Sequence, residues 1–568
     1  MKIILDQTKY FKYAFDYEFS LDLLDFCRNI KEKVGFKNFN FCIENKKWSF
    51  NNLIIVDLIR AKYPTIEIDE EVQDDWKEYL IRKAEKELII ARANKIKTKT
   101  TSKLVINGLS KELNLYPYQK LGVEFFINNH GKAILGDTMG LGKSIQAISY
   151  VVHQKFQRTL VICPSSVKFV WAEEVAKWTK LKSFIFTSDV FKKEPNMDII
   201  REHNIFIINY DILLKFIKYY SDIRWDCLIM DEFHYIKNSK SKRTKIAQAI
   251  AKRIPSILLL SGTPFLNRPV ELFNGLQIMD PIAWSNWKKF TIKYCDGHQG
   301  DFGWEAKGAS NIQELKERIS PYFLRRKKED VLPELPPKQL VNVPMELDTE
   351  RRFEYNLAMK SFMEYLKEIK GKTNIEIKKS MQAEKLVRLG ALRQITTNGK
   401  VKTAIEMINN IIDNDEKIIV FSCYNKVLKE LKEKFGDSSV MLIGETNESE
   451  RKGLVNSFQN DPNIKIFLGG IKSAGIGITL TKASNVLFID YSWVPADHEQ
   501  AADRAHRISQ KNAVTIYQLY AKNSIDEFMK NLLEEKKQIF SQLMDDNVEV
   551  QKSLNLVDSL INEIKKVM

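Results

Sequence analysis

The chain has 568 residues, 44% of them hydrophobic, with only 23 glycines and 15 prolines, so it can bury three or four domain cores and extensive low-complexity disorder is excluded. Its net charge of +15 favours an acidic polymer as partner, although a lysine-rich surface that merely keeps the protein in solution gives the same sum. Cys27, Cys42, Cys163, Cys227, Cys295 and Cys423 form no Cys-x-x-Cys pair, and no apolar stretch approaches the roughly 20 residues that span a bilayer, so a zinc site, a disulfide framework and a membrane span are not expected.

Met1-Lys-Ile-Ile-Leu-Asp6 breaks its apolar run too early for a signal peptide, and a soluble, intracellular protein is expected. Heavy Lys, Ile and Asn usage points to an AT-rich microbial or viral genome. The location is then cytoplasmic, or nuclear for a eukaryotic source. Residues 1–100 carry no chemical motif of their own and are read as a small accessory domain.

The first chemical motif is Gly136-Asp-Thr-Met-Gly-Leu-Gly-Lys-Ser144. It follows the apolar run Ala133-Ile-Leu and opens into the helical pattern Ile145-Gln-Ala-Ile-Ser-Tyr-Val-Val152. A strand, a glycine-rich turn and a helix start make a phosphate cradle: Gly140 and Gly142 admit close backbone approach, and amides and helix dipole face negative charge. Lys143 then reaches the β/γ-phosphates of ATP and the Ser144 hydroxyl holds Mg²⁺. Asp137 stands where the strict pattern has its first glycine. The alternative is an ordinary glycine-rich strand-to-helix turn.

Apolar runs at 132–136, 159–163, 204–208, 227–230 and 257–260, separated by amphipathic segments, predict a mostly parallel sheet with helices on both faces. One run, Trp225-Asp-Cys-Leu-Ile-Met-Asp231-Glu232, ends on two carboxylates. At a strand's carboxyl end Asp231 suits Mg²⁺ and Glu232 suits the attacking water. A lone Asp-Glu reads equally well as a solvated turn, but a P-loop on the same sheet edge gives this pair a target.

Residues 265–400 look mainly helical, crossed by the basic, proline-punctuated Leu324-Arg-Arg-Lys-Lys-Glu-Asp-Val-Leu-Pro-Glu-Leu-Pro-Pro-Lys338, which reads as a brace or hinge. A second strand–helix block follows, with runs at 417–422, 440–444, 464–469, 486–490 and 514–519. It ends on Gln500-Ala-Ala-Asp-Arg504-Ala-His-Arg507-Ile-Ser-Gln510. On a helix, Arg504 and Arg507 share a face and can neutralise a transferring phosphoryl group; a solvated basic face is the alternative. After Ser524, apolar residues at helical spacing predict a docking helix or one that takes a partner.

The ordered set resembles the SWI/SNF-type ATPases of helicase superfamily 2. Leu115-Tyr-Pro-Tyr118-Gln119 resembles their adenine-recognising motif, and residues 137–144 resemble motif I. Cys163-Pro-Ser-Ser-Val-Lys168 with Trp171, Asn209-Tyr210 and Asp231-Glu-Phe-His234 are similar to motifs Ia, Ib and II. Ser261-Gly-Thr-Pro264 with Asn267-Arg-Pro269 resembles motif III. Val420-Phe-Ser422, Ser473-Ala-Gly-Ile-Gly-Ile-Thr-Leu480 and residues 500–510 resemble motifs IV, V and VI. Within the family, Gly303-Trp304, Asp490-Tyr-Ser-Trp493 and His498 fit the annealing-helicase, fork-remodelling branch. Phe15-Asp16 and Trp48-Ser-Phe50 resemble the small β-rich HARP module that precedes the motor there. An unrelated accessory domain with Trp48 in its own core is the alternative.

The resemblance implies an α/β fold of two tandem RecA-like lobes with parallel sheets, helical insertions between them and a small N-terminal accessory domain. The expected boundaries are 1–100 accessory, 101–325 lobe 1, 326–400 insertion and brace, 401–525 lobe 2 and 526–568 tail. It implies ATP bound by Tyr118, Gln119, Gly140, Gly142, Lys143, Ser144, Gly475, Gly477 and Gln500, with Mg²⁺ on Ser144 and Asp231. Catalysis falls to Lys143, Asp231, Glu232, Arg504 and Arg507. Double-stranded or forked DNA is implied as the partner, gripped by Ser165, Ser166, Lys168, Arg268, Lys472 and Trp493, with protein partners through the N-terminal domain or tail. Thr138, Phe233, Ala474 and Ser509 depart from the family pattern without removing a phosphate-, metal- or water-binding group. A strand-separating helicase, a non-enzymatic DNA-binding scaffold with a degenerate motor, and a subunit of a chromatin, restriction or defence assembly are the rival readings.

Overall fold

The computed structural model describes the chain except for residues 7–10, 19, 35–38, 111–112, 193–197, 221–222, 263–268, 301–302, 307, 369–374, 475–476, 546–559 and 562–568. Met1–Asn94 and Lys95–Met568 are two compact units.

The first unit is a five-stranded sheet of β1 (Lys2–Leu5), β2 (Tyr13–Asp16), β3 (Phe39–Cys42), β4 (Lys47–Phe50) and β5 (Glu67–Ile68), in the order β3-β4-β2-β1-β5. Short alternating strands give it one apolar face, built from Ile3, Tyr13, Phe15, Phe39, Trp48 and Phe50. Trp48 is buried and stacks on Phe39 at 5.1 Å between ring centroids, so it belongs to this unit's core.

In the second unit, residues 132–324 contribute β6 (Lys132–Leu135), β7 (Thr159–Cys163), β8 (Ser183–Ile185), β9 (Ile205–Asn209), β10 (Cys227–Asp231) and β11 (Ser256–Leu260). After the hairpin β12 (His298–Gly300) and β13 (Gly303–Glu305) comes β14 (Phe323–Leu324). The seven-stranded order is β14-β6-β11-β10-β7-β9-β8, with every pairing parallel. Sequences such as Thr159-Leu-Val-Ile-Cys163 and Ile205-Phe-Ile-Ile-Asn209 are buried along their whole length, as strands covered on both faces must be. Because β11 lies between β6 and β10, the chain leaving each of these three strands converges on one edge.

The second sheet holds β15 (Lys338–Met345), β16 (Ile418–Ser422), β17 (Ser439–Leu442), β18 (Ile466–Gly470), β19 (Asn485–Phe488) and β20 (Val514–Ala521). Its order is β15-β20-β19-β16-β18-β17, again wholly parallel. One expectation changes here. Residues 326–400 are not only a helical insertion, because β15 pairs with β20 over eight residues as the edge of the second sheet. That strand is largely exposed and carries Pro344, which an edge tolerates and a central strand does not. Residues 323–324 pair with β6 in the first sheet.

The tail docks as a helix, Ile525–Asp545, with Ile525, Met529, Leu532 and Leu533 buried against Tyr355, Leu389 and Tyr491. Its first turn is pinned by Asp526, which takes the fully buried Lys400 ammonium at 2.5 Å and the Thr396 hydroxyl at 2.9 Å.

Candidate nucleotide site

The turn after β6 meets the helix Lys143–His153 through Gly142, whose φ of +73° is left-handed. A Cβ there would stand 2.5 Å from Gln119 Nε2, so glycine is required on both counts. Lys143 Nζ donates to the Asp137 carbonyl at 2.9 Å. Burial pulls its pKa below the usual lysine value, while Glu232, Asp137 and Asp231 draw the other way.

Asp137 shows why this turn departs from the strict glycine pattern. Its carboxylate is fully buried and bound by Arg326, with Nε at 3.0 Å and a second bond from Nη2, and Gln146 Nε2 adds a third contact at 3.2 Å. The side chain anchors the brace segment to the phosphate loop. Restoring the strict pattern with Asp137→Gly is therefore expected to destabilise the protein by about 3–5 kcal/mol, since the buried Arg326 charge loses its carboxylate and keeps only neutral acceptors, the Tyr118 carbonyl and Gln146 Oε1. Denaturant unfolding of the second unit's signal checks this; an unchanged midpoint would remove the anchoring role.

β10 delivers Asp231 and Glu232. Trp171 Nε1 donates to Asp231 Oδ2 at 2.8 Å, and the Glu232 amide to Oδ1 at 3.0 Å. Burial and the neighbouring Glu232 raise the Asp231 pKa. Glu232 sits at φ +48°, ψ +52°, a left-handed conformation costly for a side chain with a Cβ. Its carboxylate accepts from Ser261 Oγ at 3.1 Å and faces His234 Nδ1 at 3.2 Å. Burial opposes its charge, but the hydrogen bond and charge of His234, then Lys143, outweigh this and hold its pKa below the usual range.

From the second sheet come Arg504 and Arg507. The sequence-based picture of both on one helix face is corrected: the helix Pro495–Ala502 ends first, and residues 503–509 are turns and bends. Arg507 Nη1 donates to Thr479 Oγ1 at 2.7 Å and Arg504 Nη1 to the Ile478 carbonyl at 3.3 Å. Burial, and then Arg507 itself, lower the Arg504 pKa well below the usual value. A cavity of about 360 Å³ is lined by Gly140, Lys143, Ser144, Trp171, Asp231 and Glu232 on one side and by Gly477, Thr479, Arg504 and Arg507 on the other. Three buried or half-buried cations facing two carboxylates make this a site that gains from an anion.

Ser144 and Asp231 suit Mg²⁺. Both line the cavity, and among the described residues no group of three or more His, Cys, Asp or Glu side chains is arranged to hold a metal.

The remaining expectations divide. Tyr118 and Gln119 are buried beneath the phosphate loop, bonded to the Leu141 carbonyl at 3.2 and 3.3 Å, and do not line the cavity. Gln500 is half-buried on its helix and also stands off the cavity. Gly477 is at φ +79° and a Cβ on it would meet Val167 Cγ1 at 2.8 Å, so it permits the second sheet's loop to close on residues 165–167. Ser165 and Lys472 are exposed and Ser166 half-exposed. Lys168 is instead buried, with its ammonium 5.5 Å from the Phe169 ring, so it offers no free charge to DNA in this conformation. Trp493 packs under the Arg393 guanidinium at 4.8 Å rather than presenting an open face. Gly475 and Arg268 lie outside the described residues.

Comparison with known proteins adds independent findings. The model of the SNF2-related domain matches residues 118–400, and that of the helicase conserved C-terminal domain residues 399–509. A Caenorhabditis elegans SWI/SNF-related matrix-associated actin-dependent regulator of chromatin subfamily A-like protein 1 homolog is 34% identical over 443 residues, 76% of this chain and 62% of that protein. The human DNA annealing helicase and endonuclease ZRANB3 is 32% identical over 438 residues, 75% of this chain and 40% of that protein. The chain thus spans less than two thirds of the length of either relative. Both are animal proteins and lend no support to a microbial or viral source. Among solved structures, the Sulfolobus solfataricus SWI2/SNF2 ATPase core in complex with dsDNA is similar at 27% identity, covering 82% of this chain and 99% of that one with a TM-score of 0.39.

Proposed function

Since the chain belongs to the SNF2-related helicase family, we propose that it is an ATP-dependent motor that moves along double-stranded DNA. The observation that carries this reading is the single cavity formed by Lys143, Asp231 and Glu232 from the first sheet and Arg504 and Arg507 from the second. A triphosphate fits there with its β- and γ-groups against Lys143 and the phosphate-loop amides. Ser144 and Asp231 would hold Mg²⁺, which supplies charge neutralisation to the phosphoryl oxygens. Glu232, kept ionised by His234 and Ser261, orients the attacking water, and the two guanidinium groups stabilise charge on the transferred phosphoryl. Hydrolysis breaks the bond to the γ-phosphoryl group, and release of the phosphate removes an anion that both sheets hold, so closure and opening follow the nucleotide.

Ser165 and Lys472, which are exposed, and Ser166, which is half-exposed, are proposed to grip phosphates, a sequence-independent contact. The name of one relative, a DNA annealing helicase, supports strand annealing as the work done, with regression of forked DNA the wider proposal. The test is ATP turnover with no nucleic acid, single strand, duplex, forked DNA and RNA. Duplex or forked DNA should stimulate most, and equal turnover in all five sinks the DNA motor. Because phosphates carry the grip, DNA affinity is expected to fall by about 10³-fold or more between 50 and 200 mM salt if about six phosphates are engaged, as a titration by fluorescence anisotropy would read.

A further inference from the structure

Residues 323–338 run from the first sheet to the second, and their side chains hold both halves of the cavity. At the start, Gly136 N donates to the Leu324 carbonyl at 2.7 Å and Thr138 N to the Arg326 carbonyl at 3.1 Å, so the segment is laced to the phosphate loop. Two residues beyond Arg326 is Lys328, only 5% exposed. Its Cε lies 3.3 Å from where a Cβ on Gly140 would stand. Its Nζ donates to the His506 carbonyl at 2.6 Å and pairs with Asp503 Oδ1 at 3.0 Å. Lys338 reaches the same carboxylate oxygen at 3.2 Å, and His506 Nε2 lies 2.7 Å from the Pro336 carbonyl.

Asp503 and His506 immediately precede Arg504 and Arg507 in the chain. The backbone here is turn and bend, not helix, held by short-range bonds such as Arg504 N to the Ala501 carbonyl and Ala505 N to the Ala502 carbonyl, both at 3.1 Å. Contacts from outside the loop complete its setting. We propose that Lys328 is a positioning residue for Arg507: a strut that stands on the phosphate loop at Gly140 and holds the 503–507 loop over it through Asp503 and the His506 carbonyl. The inference rests on the ATPase reading above. A buried ammonium is a costly way to gain stability, since an apolar side chain of similar size often serves as well, so its retention favours a geometric role. Burial pulls its pKa down to about 8, and Asp503 draws the other way.

The experiment is a double-mutant cycle on the full chain with saturating duplex DNA. Lys328→Met is expected to lower kcat at least about tenfold while KM for ATP and the Kd of a fluorescent ATP analogue stay within about threefold. Lys328→Arg, which keeps a cation, should restore most of the rate. In an Arg507→Ala background, Lys328→Met should change single-turnover hydrolysis by less than about twofold, because the group it positions is gone. Asp503→Asn is the second variant and should reproduce the same dependence on Arg507. Equal losses from Lys328→Met with and without Arg507, or a loss that tracks nucleotide affinity, would overturn the strut. Absence of ATP turnover in the unmodified protein would overturn the ATPase reading itself, and the two failures are thereby distinct.

Discussion

Glu232→Gln is expected to bind ATP as the unmodified protein does and to turn it over at least about 100-fold more slowly. The substitution keeps the shape of the side chain and removes only its charge and half its acceptor capacity. In the structure the carboxylate accepts from Ser261 at 3.1 Å and faces His234 at 3.2 Å. Both contacts fall on Oε2, so an amide can keep them with its oxygen, but its NH₂ then replaces Oε1, the acceptor left for a water. The water that Glu232 would hold loses a fixed acceptor. Its left-handed backbone sharpens the expectation, because strain at a single non-glycine residue persists where surrounding structure over-determines it, and such positions cluster at working sites. A carboxylate held ionised by its neighbours is suited to orienting a water in a loose phosphoryl-transfer transition state, which needs little proton abstraction at the start. Equilibrium binding of a fluorescent ATP analogue beside phosphate-release kinetics separates the cases. Normal turnover would remove Glu232 from water positioning, and lost binding would make it a structural residue.

What the sequence discloses of this site follows from how parallel sheets are built. A strand covered on both faces has to be a continuous apolar run, and the chain leaving its carboxyl end has to carry the chemistry. Lys132–Leu135 into the phosphate loop and Cys227–Asp231 into Glu232 both read directly for that reason. β14 and β15 did not. β14 has two residues, too few for a pattern, and β15 is an exposed edge strand with a proline near its end. The segment between them therefore reads as a basic brace or hinge, with no partners assigned to its lysine and arginine. Arg326 and Lys328 gain meaning only once Asp137 and Asp503, each more than 160 residues away along the chain, are brought beside them. Trp171 is a similar case. It was visible as part of a motif, yet its indole bond to Asp231 spans 60 residues and has no local signal. Lys168 shows the opposite error: a lysine in a DNA-contact motif reads as a surface charge, but the helix it opens buries it. Periodicity located the halves of the cavity, and the long-range polar pairs that join them lay beyond it.

Arg507→Ala carries the largest expected effect, a loss of about 10³-fold or more in kcat, with ATP affinity changed far less. Arg507 lines the phosphate cavity from the second sheet, and one of its terminal nitrogens is committed to Thr479 at 2.7 Å. Its Nε is buried and has no acceptor among the described residues. A buried guanidinium N–H without a partner is costly, so its presence in a cavity already favourable to anions points to an acceptor that arrives with the substrate. A γ-phosphoryl oxygen meets that need, and it does so most strongly as negative charge spreads over the equatorial oxygens on the way to the transition state. This is why the loss should fall on kcat rather than on binding. Arg504 is a poorer test, because its Nη1 also holds the Ile478 carbonyl and its removal loosens the loop as well. Single-turnover hydrolysis at saturating ATP reads the difference. A rate within about tenfold of the unmodified protein would be too small for an arginine finger and would dismiss Arg507 from that role. The second sheet would then close the cavity without taking part in the chemistry.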